Sequence, residues 1–225
     1  MTRTCLAARK LPGYTRGEEI FNMASHAAGA AFGAAALVLC VVVAALCANT
    51  YGVVSGAIYG ASLIILYTMS SVYHGLKPGT AKKVMQVLDH CTIYVLIAGT
   101  YTPVLLSSLR LVYPKIAWTL FAVVWTSAAV GIVLNAIDLK RFKVFSMICY
   151  LVMGWCIIFF MRQTYAAIGF SGTMLLLAGG IAYTVGTVFY GLGSKHRYAH
   201  SVFHLFILAG SLLQFLSIVL FVMPA

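Results

Sequence analysis

The chain contains few charged residues, and very few that are acidic. Among its 225 residues there are four Asp and Glu and fifteen Lys and Arg, so charged residues make up only 8%. A soluble globular domain carries about 25% charged residues. This composition excludes an ordinary soluble domain. The hydrophobic fraction of 62% and the mean hydropathy of +0.98 indicate an integral membrane protein made of helices.

Several common functional motifs are also missing from the sequence. No Cys-x-x-Cys pair, phosphate-binding P-loop, dinucleotide-binding fingerprint, serine-hydrolase elbow or His-Glu-x-x-His motif occurs. The basic residues are spread over short segments between apolar stretches, which indicates contact with lipid headgroups and excludes a nucleic-acid partner. The first 20 residues have no apolar core, so no cleavable signal peptide is predicted.

Apolar windows of about 20 residues predict the membrane spans. They favour an all-α, polytopic bundle of seven transmembrane helices, residues 21–225, after a short basic cytoplasmic N-terminus, residues 1–20. The predicted spans are 22–47, 51–76, 84–108, 115–136, 143–162, 171–192 and 199–222.

The distribution of Lys and Arg predicts the orientation. With a cytoplasmic N-terminus and seven spans, twelve basic residues lie inside and three, Arg110, Lys115 and Arg162, lie outside. Cytoplasmic loops of membrane proteins carry this excess of positive charge. We therefore expect the C-terminus outside. The twelve inside residues are Arg3, Arg9, Lys10, Arg16, Lys77, Lys82, Lys83, Lys140, Arg141, Lys143, Lys195 and Arg197.

Three histidines and an aspartate fall at the cytoplasmic ends of predicted spans. His74 ends the second span, Asp89 is near the start of the third, and His200 and His204 begin the seventh on one helix face. Ionisable groups inside a membrane are expensive and mark functional sites. Three imidazoles hold Zn²⁺ and leave one tetrahedral position for water. The pattern therefore predicts a zinc site with Asp89 as proton acceptor or orienting group.

Other polar residues near this site allow more than one interpretation. Ser70 lies one turn before His74, where its hydroxyl either stabilises an oxyanion or bonds back to the carbonyl of residue 66. The three histidines could instead form hydrogen bonds between helices without a metal. His26 is expected either to support the site or to form a polar latch at the bundle mouth. His90 points away from Asp89 and is expected to pack or meet headgroups.

Glycines recur at four-residue spacing on the first two predicted spans. Gly29 and Gly33 lie on the first, and Gly52, Gly56 and Gly60 lie on the second. Small residues at this spacing let two helix backbones approach closely in lipid. Close packing of these spans would hold His74 rigidly.

Five segments of the sequence resemble the bacterial haemolysin III family. They are Glu18–His26, Ser70–His74, Leu88–His90, Ala98–Pro103 and His200–His204, and the likeness runs from about residue 18 to 222. That family is related to the progestin and adipoQ receptors and, more distantly, to the alkaline ceramidases. The resemblance implies a seven-helix bundle with zinc near the cytoplasmic face. It also implies that Ser70, His74, Asp89, His200 and His204 correspond to the family's site residues.

Two classes of function follow from these expectations. The first is a zinc-dependent hydrolase of a membrane-lipid amide or ester, similar to a ceramidase, with an apolar cavity beside the metal. Its metal ligands are His74, His200 and His204, and Asp89 and Ser70 are catalytic. The alternative is a non-enzymatic receptor-like or cytolytic pore-forming protein with structural zinc. In either case we expect a bacterial inner (plasma) membrane protein; these residues specify neither the lipid nor the oligomeric state.

Overall fold

Helices form all of the regular secondary structure in the part of the chain that the structure describes. This computed structural model describes residues 4, 6–193 and 195–224. Its longer helices are α1 (Arg16–Leu46), α2 (Thr50–Gly75), α3 (Thr80–Pro103), α4 (Pro114–Asp138), α5 (Lys143–Trp155), α6 (Met161–Leu192) and α7 (Ala199–Ser217). Short segments extend or join them: 3-10 turns Leu6–Ala8 and Cys156–Phe160, π-helical turns Val104–Leu109 and Ile218–Val222, and the α-helical turn Arg110–Val112.

Six helical segments among the described residues are long and apolar enough to cross a membrane. Their outward faces expose large apolar side chains, such as Val38, Val144 and Phe159, as expected for surfaces that meet lipid. The segments are Arg16–Leu46, Thr50–Gly75, Thr80–Val112, Pro114–Asp138, Lys143–Leu192 and Ala199–Val222. The prediction of a polytopic all-helical membrane protein is confirmed at this level.

The segment Lys143–Leu192 contains a reversal of the chain. It is 50 residues long and includes Gly169, whose φ of 70° and ψ of −179° are not helical. Trp155 Nε1 donates a hydrogen bond of 2.9 Å to Thr184 Oγ1. In one straight helix these two residues would be about 44 Å apart. The two arms therefore lie side by side, and they correspond to the separate predicted stretches 143–162 and 171–192.

Helices α1 and α2 pack with their backbones almost in contact. A Cβ atom added to Gly60 would collide with the backbone of Leu37, and one added to Gly33 would lie 3.0 Å from the amide nitrogen of Ile64. The close approach predicted from the glycine spacing is confirmed. It fixes the start of α1 beside the end of α2, which is where His74 lies.

The bundle has one polar end and one apolar end. The polar end, called here the histidine end, is where α1, α3 and α7 begin and α2 ends. The opposite end is closed by Asn49 Nδ2, which donates to the carbonyl of Met223 over 3.3 Å. Below it lie fully or almost fully buried Leu105, Leu109 and Val222. Apolar side chains therefore fill much of the described interior near this end, together with the buried hydroxyl groups of Ser107 and Ser108.

Candidate metal centre

Three of the predicted site residues converge at the histidine end. His74, His200 and His204 each offer a ring nitrogen, and these atoms all lie within 4.8 Å of one another. The three residues are 2%, 8% and 1% exposed. Because His200 and His204 are one helical turn apart on α7, they face the same point near the end of α2. The juxtaposition predicted from the sequence is thus present.

The distances between these rings suit a shared cation. His204 Nε2 and His200 Nε2 are 3.1 Å apart. Two imidazole nitrogens that bind one tetrahedral Zn²⁺ at 2.0–2.1 Å lie about 3.3 Å from each other. The ring centroid of His74 is 5.4 Å from that of His200 and 5.0 Å from that of His204. The three imidazoles therefore fit the ligand set of an open zinc site.

Glu19 fixes the orientation of the His74 ring. His74 Nδ1 donates to Glu19 Oε2 over 2.7 Å, since an ionised carboxylate can only accept. The opposite nitrogen, Nε2, is buried and makes no hydrogen bond within the described residues. A carboxylate that holds one imidazole nitrogen while the other binds metal is the usual arrangement in zinc proteins. After the spacing of the three rings, the unpartnered His74 Nε2 is a second observation that fits a bound metal ion.

Lys82 completes the arrangement around Glu19. Its Nζ donates to Glu19 Oε1 over 2.7 Å and to the carbonyls of Leu76 and His74 over 3.0 and 3.4 Å. Its side chain is only 3% exposed. From the sequence, Lys82 is expected to be one of the loop cations that meet headgroups. The structure corrects that interpretation, because Lys82 is buried and joins α1, α2 and α3.

The position at which α1 begins brings Glu19 within reach of His74. The helix begins at Arg16, earlier than the predicted span at 22, because Thr15 and Glu18 form a capping box. In this motif the Thr15 hydroxyl accepts from the Glu18 amide while the Glu18 carboxylate accepts from the Thr15 amide. Glu19 therefore lies in the first helical turn and points toward α2.

His26 contacts the three-histidine group without belonging to it. Its ring stacks on that of His204 with centroids 3.6 Å apart, and it also meets the Tyr67 ring edge at 5.0 Å. Both His26 ring nitrogens are buried without a hydrogen-bond partner in the described chain. Of the two roles considered for His26, the contact with His204 favours support of the site.

Asp89 and Ser70 line a cavity beside the histidines. The Asp89 side chain is 16% exposed and is not among the converging metal-binding atoms. Ser70 is buried, and the described residues show no back-bond from its hydroxyl to residue 66.

His90 also lines the cavity, but its Nδ1 donates to the carbonyl of Gln86 and its Nε2 lies 3.2 Å from the Tyr190 hydroxyl. His90 thus packs within the bundle, as expected, but the prediction that it points away from Asp89 is wrong, because its Nδ1 lies 3.7 Å from Asp89 Oδ2.

The cavity has a volume of about 980 Å³. His200 and His204 line it near the histidine end, and Gln214 lines it further along α7. Since Gln214 is ten residues beyond His204, the cavity extends about 15 Å into the bundle. Its deeper wall is largely apolar and includes Leu96 and Trp155. The size is at the upper end for small-molecule sites and suits a molecule with one long apolar chain.

Tyr14, in the segment before α1, covers the histidines. Its ring stacks on His200 with centroids 4.9 Å apart and an interplanar angle of 20°, and it lies 5.8 Å from His74. Burial raises the pKa of the Tyr14 hydroxyl well above its ordinary value, so the phenol stays neutral. Tyr14 therefore shields the site from water without adding charge.

Sequence reasoning missed the roles of Glu19, Lys82 and Tyr14. One signal was available for Glu19, because it is one of only four acidic residues and lies seven positions before His26 on an apolar helix. Lys82 and Tyr14 gave no such signal. Both lie in segments whose composition is typical of cytoplasmic loops.

Comparisons with known proteins place the chain among membrane proteins of one family. The family model described as "Haemolysin-III related" matches residues 14–215. The Hemolysin-3 of Bacillus cereus is 39% identical over 92% of this chain and 93% of its own length. The Hemolysin-3 homolog of Bacillus subtilis (strain 168) is 38% identical over 92% of this chain and 96% of its own.

A more distant relative comes from mammals. The human Monocyte to macrophage differentiation factor is 27% identical over 72% of this chain and 67% of its own length. No solved structure matches the chain. The family model and the two bacterial relatives, each of which matches almost the whole chain, show that this protein belongs to the haemolysin III family.

Proposed function

We propose that the protein is a zinc-dependent hydrolase that cleaves an amide or ester bond of a membrane lipid. The observation that carries the proposal is the convergence of His74, His200 and His204, of which His200 and His204 line a deep, largely apolar cavity. A structural zinc site is closed by four protein ligands, whereas three ligands beside a cavity are typical of catalytic sites. The site thus combines a place for a metal with a place for an acyl chain.

In this proposal the three histidines hold the zinc ion, and Glu19 keeps His74 in the correct tautomer. A bound zinc ion supplies Lewis acidity and makes water a nucleophile near neutral pH. The Asp89 carboxylate accepts a proton as water adds to the lipid carbonyl carbon, and it then returns a proton to the leaving nitrogen or oxygen. The Ser70 hydroxyl donates a hydrogen bond to the carbonyl oxygen as negative charge develops there.

The cavity positions the substrate for this chemistry. An acyl chain that follows the apolar wall toward Gln214 would extend about 15 Å, close to half the thickness of the hydrocarbon core of a bilayer. Tyr14 and the buried rings of the site exclude bulk water around the carbonyl. The apolar packing at the far end, with Leu105 and Leu109 buried, favours this one-sided site over the alternative of a pore.

We also propose that the chain crosses the plasma membrane of a bacterium seven times, with its N-terminus in the cytoplasm. A straight helix of 50 residues would be about 75 Å long, more than twice the thickness of the hydrocarbon core. The reversal near Gly169 and the Trp155–Thr184 hydrogen bond support two crossings by this segment. Seven crossings agree with the twelve-to-three distribution of basic residues.

A hydrolysis screen tests the proposed activity. Purified zinc-loaded protein is incubated with N-acyl and O-acyl lipids of one chain length, and free fatty acid is measured by mass spectrometry. We expect release that depends on time and enzyme concentration and that stops when a chelator removes the metal. Absence of release from every amide and ester tested, by protein that carries zinc, would count against a hydrolase.

A further inference from the structure

The segment that precedes α1 forms part of the cavity wall at the histidine end. The Thr4 amide donates to Asp138 Oδ2 over 2.7 Å, and the Tyr198 amide donates to Glu18 Oε1 over 2.8 Å. With Tyr14 stacked on His200, these contacts hold the segment across the mouth of the cavity. Residues 8–15 line the cavity as a result.

Arg9, within this segment, is a buried cation for which the described residues supply no ion-pair partner. It is 8% exposed, and its Nε and Nη1 atoms are buried and make no hydrogen bond in the described chain. None of the ion pairs among the described residues includes Arg9. A guanidinium cannot shed its charge, and a buried unpaired charge is costly. Since Arg9 lines the cavity, an anion that enters the cavity would supply the missing partner.

The mouth of the cavity has a large excess of positive charge. The carboxylates in its lining are Glu18 and Asp89, and Glu18 already accepts from the amides of Thr15 and Tyr198. A low-dielectric cleft lined by one sign of charge concentrates ligands of the opposite sign. The other Lys and Arg residues in the lining are Lys10, Lys140, Lys143, Lys195 and Arg197.

We propose that the cavity binds an amphiphile whose headgroup is a phosphate ester, with the phosphate paired to Arg9. This inference rests on the proposed function, because it takes the cavity as the substrate site. The planar guanidinium offers paired donors that match phosphate oxygens, and the surrounding lysines complement a headgroup with more than one negative charge. The apolar chain lies along the deeper wall toward Gln214, so the carbonyl region passes the histidines.

Binding of ether lipids tests this inference, because an ether has no acyl bond to hydrolyse. The probes are 1-O-octadecylglycerol 3-phosphate, the neutral 1-O-octadecylglycerol, and soluble glycerol 3-phosphate. Dissociation constants are measured by calorimetry with full-length, zinc-loaded protein in a neutral maltoside detergent. We expect the phosphorylated ether to bind about 10- to 100-fold more tightly than the neutral one, as for charged hydrogen bonds. Equal binding of the two ethers by the unmodified protein would overturn the proposal and needs no variant.

Matched variants separate Arg9 from general surface charge. Arg9→Gln is expected to abolish the preference for the phosphorylated ether, and Arg9→Lys to retain part of it because the charge stays. Arg141→Gln is the control, since Arg141 lies in the loop after α4 but does not line the cavity. We expect it to keep the full preference. An equal loss in Arg9→Gln and Arg141→Gln would assign the effect to bulk charge and contradict the site.

The remaining outcomes distinguish a lipid headgroup from a soluble phosphate as the ligand, and the headgroup site from the hydrolase activity. Glycerol 3-phosphate is expected to bind far more weakly than the ether lipid; equal affinity would overturn an amphiphile as ligand. A preference lost in Arg9→Gln, with no hydrolysis of any amide or ester tested, would support the headgroup site and reject the hydrolase. Hydrolysis without any preference for phosphate would reject the headgroup site alone.

Discussion

His74 Nδ1 donates to Glu19 Oε2 over 2.7 Å, and this bond joins the last turn of α2 to the first turn of α1. The same carboxylate accepts from Lys82 at the start of α3. Three helices therefore meet at one carboxylate, directly behind a histidine whose Nε2 is unpartnered. An imidazole held in this way is oriented before a metal arrives, which raises the affinity of the site.

The first prediction concerns this carboxylate. Glu19→Gln removes the negative charge behind His74 and is expected to weaken zinc binding about 10- to 100-fold. The measurement is competition for zinc with a chelator of known affinity. Asp138→Asn is the matched control, because Asp138 accepts from the amides of Thr4, Lys140 and Arg141 and contacts none of the three histidines. Equal zinc affinity in both variants would show that Glu19 does not support the metal site.

The second prediction separates Asp89 from the ligands. Asp89 lines the cavity but is not one of the converging atoms, so Asp89→Asn should leave zinc bound. Its loss as a proton acceptor should lower hydrolytic turnover about 10²- to 10⁴-fold. Metal content and fatty-acid release are measured on the same preparation. An unchanged rate would remove the proton-transfer role, and loss of zinc would make Asp89 a direct ligand.

The third prediction concerns the contact between α1 and α2. Gly60→Ala places a methyl group against the backbone of Leu37 and is expected to destabilise the protein by about 1–3 kcal/mol. The thermal unfolding midpoint in detergent should fall accordingly. Gly191→Ala is the control, because nothing lies within 4 Å of the added Cβ. A midpoint that falls equally in both variants would contradict close packing as the cause.

The fourth prediction concerns orientation. Seven crossings with a cytoplasmic N-terminus place the C-terminus outside. Alkaline phosphatase and green fluorescent protein fused at the C-terminus report the outer and inner sides, respectively. We expect phosphatase activity without fluorescence. A fluorescent C-terminal fusion would mean that Lys143–Leu192 crosses only once, or that another span was miscounted.

Much of the candidate site could be predicted because its residues are ionisable side chains within otherwise apolar segments. A histidine or aspartate in an apolar helix end stands out, and helical spacing puts His200 and His204 on one face. The close approach of α1 and α2 likewise follows from the four-residue spacing of Gly29 and Gly33 on α1 and of Gly56 and Gly60 on α2. The reversal between the predicted spans 143–162 and 171–192, by contrast, depends on the non-helical backbone conformation of one residue, Gly169.

The roles of Glu19, Lys82, Tyr14 and Arg9 could not be predicted from local patterns. The roles of Tyr14 and Arg9 depend on how the segment before α1 folds over the end of the bundle. Those of Glu19 and Lys82 depend on how α1, α2 and α3 pack together. In sequence, Lys82 and Arg9 look like the cations of loops that bind headgroups. Only their burial in the structure distinguishes them from such exposed cations. Local sequence carries no information about burial that arises from a partner far along the chain.

Metal analysis of three purified preparations is the most direct test of zinc binding by the three histidines. They are the unmodified protein, the variant His74→Ala/His200→Ala/His204→Ala, and the control His90→Ala/His196→Ala, whose two histidines line the cavity outside the converging group. Zinc per chain is measured by mass spectrometry, with circular dichroism to confirm that each is folded. We expect about one zinc in the unmodified protein and in the control, and almost none in the triple variant. Full zinc occupancy in the folded triple variant would contradict this expectation.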